Sequence, residues 1–403
     1  MNLATLSASY LRARPLQTAL SLLLLALGVG TIVAALLMVS QLEERMARDA
    51  RGIDLVVGAK GSPMQLILSG IYHLDAPTGN IPLPDAQALA RHSLVKRAIP
   101  LALGDSWKGY RIVGAGPEYA ALYGAKPVSG RLYEKPMEAV LGAEVASRTR
   151  TNVGARVVGA HGLGAEGEEH EGTAYEVVGV LGPTGSVLDR LVLTPVESVW
   201  QVHSEHGPAH EAQGSPDEDD DEDREVTVLL IQYASPLAAA LLPRQINSQS
   251  ELQAASPAYE TARLFRIVGA GIEAVRAFAV VLILAAGLSV FIALYTALEE
   301  RRYDLAVMRT LGASPQRLFG LLLVEGLTLA ALGALLGLLL GHAFASALGI
   351  WMEAAQQPPV TGLTFRSGEL AILAIALAVG LLAALVPAWR AYRTDVARVL
   401  AQG

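Results

Sequence analysis

The chain has 403 residues, of which 52% are hydrophobic and only 17% are charged, and its mean hydropathy is +0.39. Few soluble globular proteins are this apolar, so the composition favours a membrane protein of about two folded units. The net charge of −7 equals the acidic run at residues 217–223, so no basic excess indicates nucleic-acid binding. The absence of cysteine excludes disulfides, thiolate metal sites and cysteine nucleophiles.

Four long apolar stretches are predicted to cross a membrane as helices. The first, at residues 16–40, is longer than the ~20 residues that a hydrocarbon core requires. A cleaved signal peptide is the alternative, but its apolar region is typically about 7–15 residues and no small-residue cleavage site follows here. We therefore expect a retained signal-anchor. The other three spans are predicted at residues 277–298, 318–348 and 370–389.

The arginine pattern of the short segments predicts the orientation of these spans. The loop at 299–317 holds four arginines, the loop at 349–369 holds one, and the tail at 390–403 holds three more. We therefore expect both termini, 1–15 and 390–403, to be cytoplasmic, and residues 41–276 to lie outside.

Residues 41–276 are predicted to form a mixed α/β domain on two stalk helices, at 41–52 and 257–276. The fold class is thus an α+β membrane protein with this domain inserted between the first two spans. Strands are predicted at 54–58, 110–114, 155–159, 175–180, 191–194 and 226–233, and short helices at 85–92, 117–123 and 236–246. Two acidic, glycine-rich stretches, 160–172 and 203–223, are predicted to be exposed loops.

The third span contains three glycines at four-residue spacing, Gly333, Gly337 and Gly341. This spacing puts them on one helix face, where a second helix can approach closely. A packing face is our interpretation, with a homodimer or subunit contact as one use of it. The alternative is that glycine is simply common in membrane helices.

The loop at 299–317 predicts a short amphipathic helix between spans two and three. Gly312 suits the left-handed position after a helix, Ser314 suits an N-cap and Pro315 the first turn of the next helix. Tyr303, Val307 and Leu311 fall near one face. By pattern alone such a helix is either an interfacial anchor or a docking site for a protein.

Two motifs in this half of the chain resemble the FtsX/MacB-like ABC permeases, of the MacB type that transmits mechanical force. The first is ERRYDLAVMRTLGASP at residues 300–315, followed by Glu325-Gly326 in an apolar helix. The second is PAWRAYRTDVARVL at residues 387–400. The resemblance covers about residues 275–403. The layout of one span, a long outer domain and three spans also agrees.

The resemblance implies a permease of the bacterial inner membrane that is not itself an enzyme. Its expected partners are a cytoplasmic ABC ATPase, a second copy or a paralogue, and a periplasmic protein. ATP and Mg²⁺ would bind the ATPase, since this sequence has no G-x-x-x-x-G-K-[ST] motif. The expected work is efflux, or extrusion of lipoproteins or amphiphiles. The ATPase-coupling residues would be Arg301, Arg302, Tyr303, Val307, Arg309, Leu311 and Gly312.

Two functions of other classes remain as alternatives. One is an FtsX-like signalling protein that activates an outer hydrolase and transports nothing. The other is a receptor without any ATPase, which predicts that no ATP-binding chain copurifies.

The remaining polar candidates are few. Glu325 and His342 alone interrupt the third span, and an intramembrane acid suggests a conformational role or pairing with an arginine of the 299–317 loop. His203, His206 and His210 could bind zinc, although Gly207 and Pro208 favour a solvated loop instead. Asp54, His73 and Asp75 are interpreted as turn and cap residues, and no catalytic residue is expected.

Overall fold

The computed structural model describes residue 12 and residues 14–162, 169–204, 224–355, 357 and 359–393. The chain divides into two units, Met1–Glu43 with Ile267–Gly403, and Glu44–Arg266. The helices are α1 Pro15–Asp49, α2 Pro63–Gly70, α3 Leu83–Ala90, α4 Pro117–Leu122, α5 Ala143–Thr149, α6 Val196–Ser204, α7 Pro236–Gln249, α8 Pro257–Glu300, α9 Arg302–Thr310, α10 Pro315–Ala354 and α11 Ser367–Tyr392.

Four helices, α1, α8, α10 and α11, are long and apolar enough to cross a membrane, which confirms the predicted fold class. The first two are longer than the predicted spans: α1 has 35 residues and α8 has 44. Both continue without a break into the Glu44–Arg266 unit, at the positions where stalk helices were predicted.

The unit formed by Met1–Glu43 and Ile267–Gly403, which we call the membrane unit, is held together by small and branched apolar side chains. Leu25, Val29 and Val33 of α1 are buried in one cluster with Ile283 of α8 and Ala334 of α10. Because lipid is as apolar as these side chains, close packing rather than exclusion from water holds the helices together. A contact between the hydroxyls of Ser21 and Ser289, at 2.8 Å, adds to this packing.

The unit Glu44–Arg266, which we call the outer unit after its predicted position, contains a mixed sheet. The strands are β1 Leu55–Ala59, β2 Ile81–Pro82, β3 Val95–Trp107, β4 Tyr110–Ala115, β5 Pro127–Gly130, β6 Glu138–Leu141, β7 Arg156–His161, β8 Glu169–Leu181, β9 Leu191–Thr194, β10 Glu225–Val226, β11 Val228–Tyr233 and β12 Leu252–Ala255. Among the described residues, ten strands form one sheet in the order β12-β1-β11-β3-β4-β9-β6-β8-β5, with β7 paired to β3 and β8. The pairs β4–β9 and β6–β8 are parallel, and the other pairs in this sheet are antiparallel.

Both faces of this sheet are covered, because successive side chains of a strand point to opposite sides. In β1, Val56 lies in one buried cluster with Leu66 of α2, whereas Leu55 and Val57 lie in another with Leu242 of α7. Strands buried on both sides read as continuous apolar runs, which is how β1 and β11 were recognisable in the sequence.

The prediction of an exposed loop over residues 160–172 is wrong at both ends. β7 continues to His161, and β8 already begins at Glu169, because Ala160 pairs with Glu169 across the β7–β8 ladder. Register with a neighbouring strand therefore overrides the polar composition of these residues. The middle of the stretch, residues 163–168, lies outside the described residues, as does 205–223 of the second predicted loop.

Candidate functional site

The loop between α8 and α10 contains the short helix α9, with a turn at each end. Arg301 separates α8 from α9 with φ −102° and ψ 9°. After α9, Gly312 has φ +100°, the left-handed conformation predicted for it. Ser314 is extended at the N-cap of α10, and Pro315 begins that helix. The local sequence thus marks the end of α9 and the start of α10.

One face of α9 is anchored on the membrane helices and the other is open. Leu305 is 6% exposed and packs in a buried cluster with Leu298 of α8 and Leu318 of α10. On the open side, Tyr303 is 55% and Leu311 is 82% exposed. Val307, which was predicted on the same face, is half-buried. The helix and the residue after it therefore present two large apolar side chains, while Leu305 on the other side packs against the membrane helices.

Ion pairs link the start of α9 to its neighbours. Arg302 Nη1 lies 3.0 Å from Glu299 Oε2, one turn earlier in the chain. Glu300 pairs with Arg14, which precedes α1. Of the other predicted coupling residues, Arg309 is half-buried in the last turn of α9. The charges thus connect the loop to the first span as well as to the second.

Glu325 lies on α10 and is only 4% exposed. Its Oε1 is 4.0 Å from Arg301 Nη1, and its Oε2 has no hydrogen-bond partner among the described residues. This is the pairing with a loop arginine that the sequence suggested as one interpretation. A buried carboxylate facing the residue before α9 connects that helix electrostatically to the third span.

Gly333, Gly337 and Gly341 all face α1. A Cβ atom at Gly333 would lie 2.8 Å from Leu25, one at Gly337 2.6 Å from Val29, and one at Gly341 2.8 Å from Val33. Real Cβ atoms do not approach that closely, so these positions require glycine. The helix that fills this face is the first span of the same chain, and it leaves no room there for a second copy.

The end of α1 is tied into the outer unit by hydrogen bonds. The Val187 backbone N–H donates to Asp49 Oδ1 at 2.8 Å, and the Tyr123 hydroxyl donates to the Asp49 carbonyl at 2.6 Å. The Tyr72 hydroxyl donates to the Met46 carbonyl at 3.4 Å and lies 3.1 Å from the hydroxyl of Thr261 on α8. Tyr72, in the loop after α2, therefore contacts both stalk helices.

The three polar residues that were interpreted as turn and cap residues make separate contacts. Asp54 Oδ2 accepts from the Tyr233 N–H at 2.8 Å, and Asp75 Oδ1 accepts from the Ala76 N–H at 2.8 Å. His73 is buried, with its Nε2 3.0 Å from the Tyr119 hydroxyl. These side chains do not converge on a reaction site.

The described residues contain no group of three side chains that could hold a metal ion. His203 lies in the last turn of α6, with Nδ1 2.8 Å from the Val199 carbonyl and Nε2 3.7 Å from Asp105 Oδ1. The other two predicted zinc ligands, His206 and His210, lie outside the described residues. The zinc site stays a prediction.

Sequence reasoning missed the residues that fasten the stalk ends, among them Asp49, Tyr72 and Tyr123. These contacts join segments far apart in the chain, so no local motif marks them. It also missed α6, although the apolar residues Val196, Val199 and Val202 after Pro195 were an available helix signal.

Two protein-family models match successive parts of the chain. Residues 18–249 match the model of the MacB-like periplasmic core domain, and residues 276–396 match the FtsX-like permease C-terminal model. No curated protein sequence matches the chain.

Two solved structures are similar to part of the chain. The periplasmic region of MacB from Actinobacillus actinomycetemcomitans is 14% identical, covering 54% of this chain and 97% of that one, with a TM-score of 0.33. The extracellular domain of the noncanonic ABC-type transporter YknZ from Gram-positive bacteria is 14% identical, covering 50% and 98%, with a TM-score of 0.30.

The MacB-like model alone spans more than half of the 403 residues, and the FtsX-like model covers the three later helices. This is a multi-pass membrane protein, and it belongs to the FtsX/MacB-like permease family, which generally consists of non-catalytic permease or signalling subunits of ABC-type systems.

Proposed function

We propose that this chain is the permease subunit of an ABC complex and that α9 docks on a separate cytoplasmic ATPase, which binds ATP and Mg²⁺. The observation that carries this proposal is the arrangement of α9. Its Leu305 side is buried on the membrane helices, while Tyr303 and Leu311 are 55% and 82% exposed beside Arg302. Two exposed apolar side chains with an arginine beside them, on a helix packed against the spans, are suited to binding in a groove of a partner protein.

The contacts around α9 supply a route for force. Movement of α9 would pass to α10 through Arg301 and Glu325, and to α1 through Glu300 and Arg14. The glycine-lined contact of α10 with α1 would make these two helices move together. Since α1 and α8 both continue into the outer unit, we propose that ATP-driven movement of α9 reaches the outer domain through them.

The cargo is proposed to be an amphiphile or a lipid-linked molecule. A cavity of about 740 Å³ in the membrane unit is lined by apolar side chains of α1, α8 and α10, including Met38, Val275 and Phe344. Its one hydroxyl, on Thr31, is already donated to the Leu27 carbonyl at 2.7 Å. Such a lining favours hydrocarbon over polar ligands.

The proposed setting is the bacterial inner membrane, with both termini and α9 on the cytoplasmic side. The four arginines of the loop at 299–317 support this orientation. A second permease copy or a paralogue would complete the complex, with an outer-compartment protein as a further partner.

Leu311→Asp tests the docking role. The full-length protein is purified in mild detergent, the copurifying chains are identified, and ATP hydrolysis by the complex is measured. We expect the variant to lose most of the ATPase subunit, because it places a charge in a desolvated interface at a cost of about 2–4 kcal/mol. Tyr303→Asp should act in the same direction.

Leu363→Asp is the matched control, since Leu363 is 92% exposed in the segment between α10 and α11. It should leave the ATPase bound and active. Unchanged assembly and hydrolysis in Leu311→Asp would remove the docking role. An envelope defect without any change in the cell content of amphiphiles would favour a signalling function instead.

A further inference from the structure

A histidine in the second half of α10 meets a buried glutamate in the first turn of α11. His342 Nε2 lies 2.9 Å from Glu369 Oε2, and Glu369, in the first turn of α11, is fully buried. The other ring nitrogen of His342, Nδ1, lies 2.5 Å from the carbonyl oxygen of Gly362. The imidazole is therefore held between a carbonyl and a carboxyl group.

The chemistry of these partners fixes how many protons the pair holds. A carbonyl oxygen only accepts, so Nδ1 must carry a hydrogen. The contact between Nε2 and Oε2 then needs one further proton, on either the ring or the carboxyl group. Glu369 Oε1 cannot supply it, because that oxygen accepts from the Arg366 backbone N–H at 2.8 Å. One shared proton thus lies between His342 and Glu369.

The same pair anchors the segment at residues 359–366, which we call the outer strap. Gln41 of α1 bonds Thr361 twice: its Nε2 donates to the Thr361 carbonyl at 2.7 Å, and its Oε1 accepts from the Thr361 N–H at 2.9 Å. Gly362 lies directly against the backbone of His342, where no Cβ would fit. The strap is therefore attached to α1 by an uncharged amide and to α10 by the titratable pair, and its Val360 also packs against the membrane helices.

We propose that His342 and Glu369 form a proton-binding latch, which pins the outer strap to α10 while it holds the shared proton and releases the strap when that proton leaves. Loss of the proton to the aqueous phase would leave a buried carboxylate facing an imidazole lone pair. Two acceptors repel each other, and a buried carboxylate that loses the donor to one of its oxygens is costly. The latch is thus closed at low pH and opens as the pH rises.

The charged groups around the latch are few. Between His342 and Glu369 the sequence contains only Glu353 and Arg366 as further ionisable residues. From α1 the contact is the uncharged Gln41, and the next carboxylate along that helix is Glu43. Among the described residues, the carboxyl group of Glu369 is the one within ion-pair distance of the His342 ring, at 2.9 Å.

The absence of cysteine makes the test direct. A single nitroxide spin label is attached at Leu363→Cys, on a strap residue that is 92% exposed, in the full-length protein in lipid nanodiscs. Its mobility is recorded from about pH 5 to about pH 9, the range in which a histidine commonly titrates. We expect the immobile fraction to fall by more than half as the pH rises. A strap with constant mobility over this range overturns the proposal.

Glu369→Gln separates a proton latch from an ordinary structural contact. The amide oxygen can accept from the Arg366 N–H and the amide nitrogen can donate to His342 Nε2, so this variant imitates the protonated pair permanently. We expect an immobile strap at every pH. Glu273→Gln, on an exposed carboxylate of α8, is the control and should keep the wild-type pH response. A pH response that persists in Glu369→Gln contradicts the proposal.

His342→Leu covers the case in which Glu369→Gln fails to fold. A leucine side chain has no polar atom that could bond Gly362 or Glu369. The strap should therefore be mobile at every pH while the protein elutes as a single species in gel filtration. An immobile strap in His342→Leu would show that the pair does not hold it.

Discussion

His73 adopts a backbone φ of +53° and is 8% exposed, so its imidazole is enclosed in the outer unit. Burial, together with the smaller effect of the charges of Arg111 and Arg190, lowers the pKa of His73 from its ordinary 6.5 to about 3. A single hydrogen bond from Tyr119 to a neutral ring is compatible with that state. The sequence suggested only a turn residue here, because the enclosure comes from Tyr119, 46 positions away.

This imidazole predicts acid sensitivity of the outer unit. Since the unfolded chain binds a proton near pH 6.5 and the folded one only near pH 3, stability is full above pH 6.5 and falls as the pH drops through this window. The loss should approach about 1.4 kcal/mol per pH unit. Urea unfolding of the full-length protein in detergent, followed by tryptophan fluorescence at several pH values, measures the slope.

In His73→Gln this slope should be reduced by the equivalent of about one proton. His92→Gln, at a partly exposed histidine, is the control and should behave like the wild type. An equal slope in His73→Gln and the wild type would show that another group causes the acid sensitivity.

At the scale of elements, the sequence predicted those that carry their own signal. The four spans are long apolar runs, and β1, β9 and β11 are continuous Val, Leu and Ile segments. It missed β3, a strand at the centre of the sheet, because Lys96, Arg97 and Pro100 interrupt its pattern. β3 is a strand because β11, β4 and β7 all pair with it, a long-range effect that no local window shows.

The turn that ends α9 was predictable because it carries its own local sequence signal. Gly312, Ser314 and Pro315 mark both ends of the turn between α9 and α10. Which side of α9 is open was only partly predictable, since Val307 is half-buried whereas Tyr303 and Leu311 are exposed. The exposed fraction of the Val307 side chain depends on its contacts with the neighbouring spans. The pattern of apolar residues along one helix gives no information about those contacts.

The α1–α10 contact predicts a position-dependent effect of glycine substitution. Gly337→Ala would place a Cβ 2.6 Å from Val29 and 2.9 Å from the Ala26 carbonyl, so the helices must separate. We expect a loss of about 1–3 kcal/mol, seen as a lower unfolding temperature in detergent.

Gly320→Ala, on the same helix, has no atom within 4 Å of the added methyl group. It should be neutral or stabilise the protein by up to about 1 kcal/mol, because alanine favours a helix. Equal effects at the two positions would mean that close packing at Gly337 is not what holds the spans together.

At the scale of the whole molecule, the proposal requires α9 and the outer unit to face opposite sides of the membrane. Because the chain lacks cysteine, single cysteines at Leu311 and at Val128, which is 71% exposed in β5, give two comparable labelling sites. A membrane-impermeant maleimide should label Val128→Cys in cells with a permeabilised outer envelope, and Leu311→Cys only after lysis. Labelling of both before lysis would exclude the proposed orientation.

The unbroken length of α1 has a mechanical consequence. Its 35 residues correspond to a rod of about 50 Å at ~1.5 Å per residue, and its glycine-lined seam with α10 lies along the middle of that rod. Swinging such a rod by about 10° about its near end displaces its far tip by roughly 9 Å, from the same helical rise. A lever of this kind turns a small angular change at a pivot into a stroke comparable with the width of a helix, without any hinge in the rod itself.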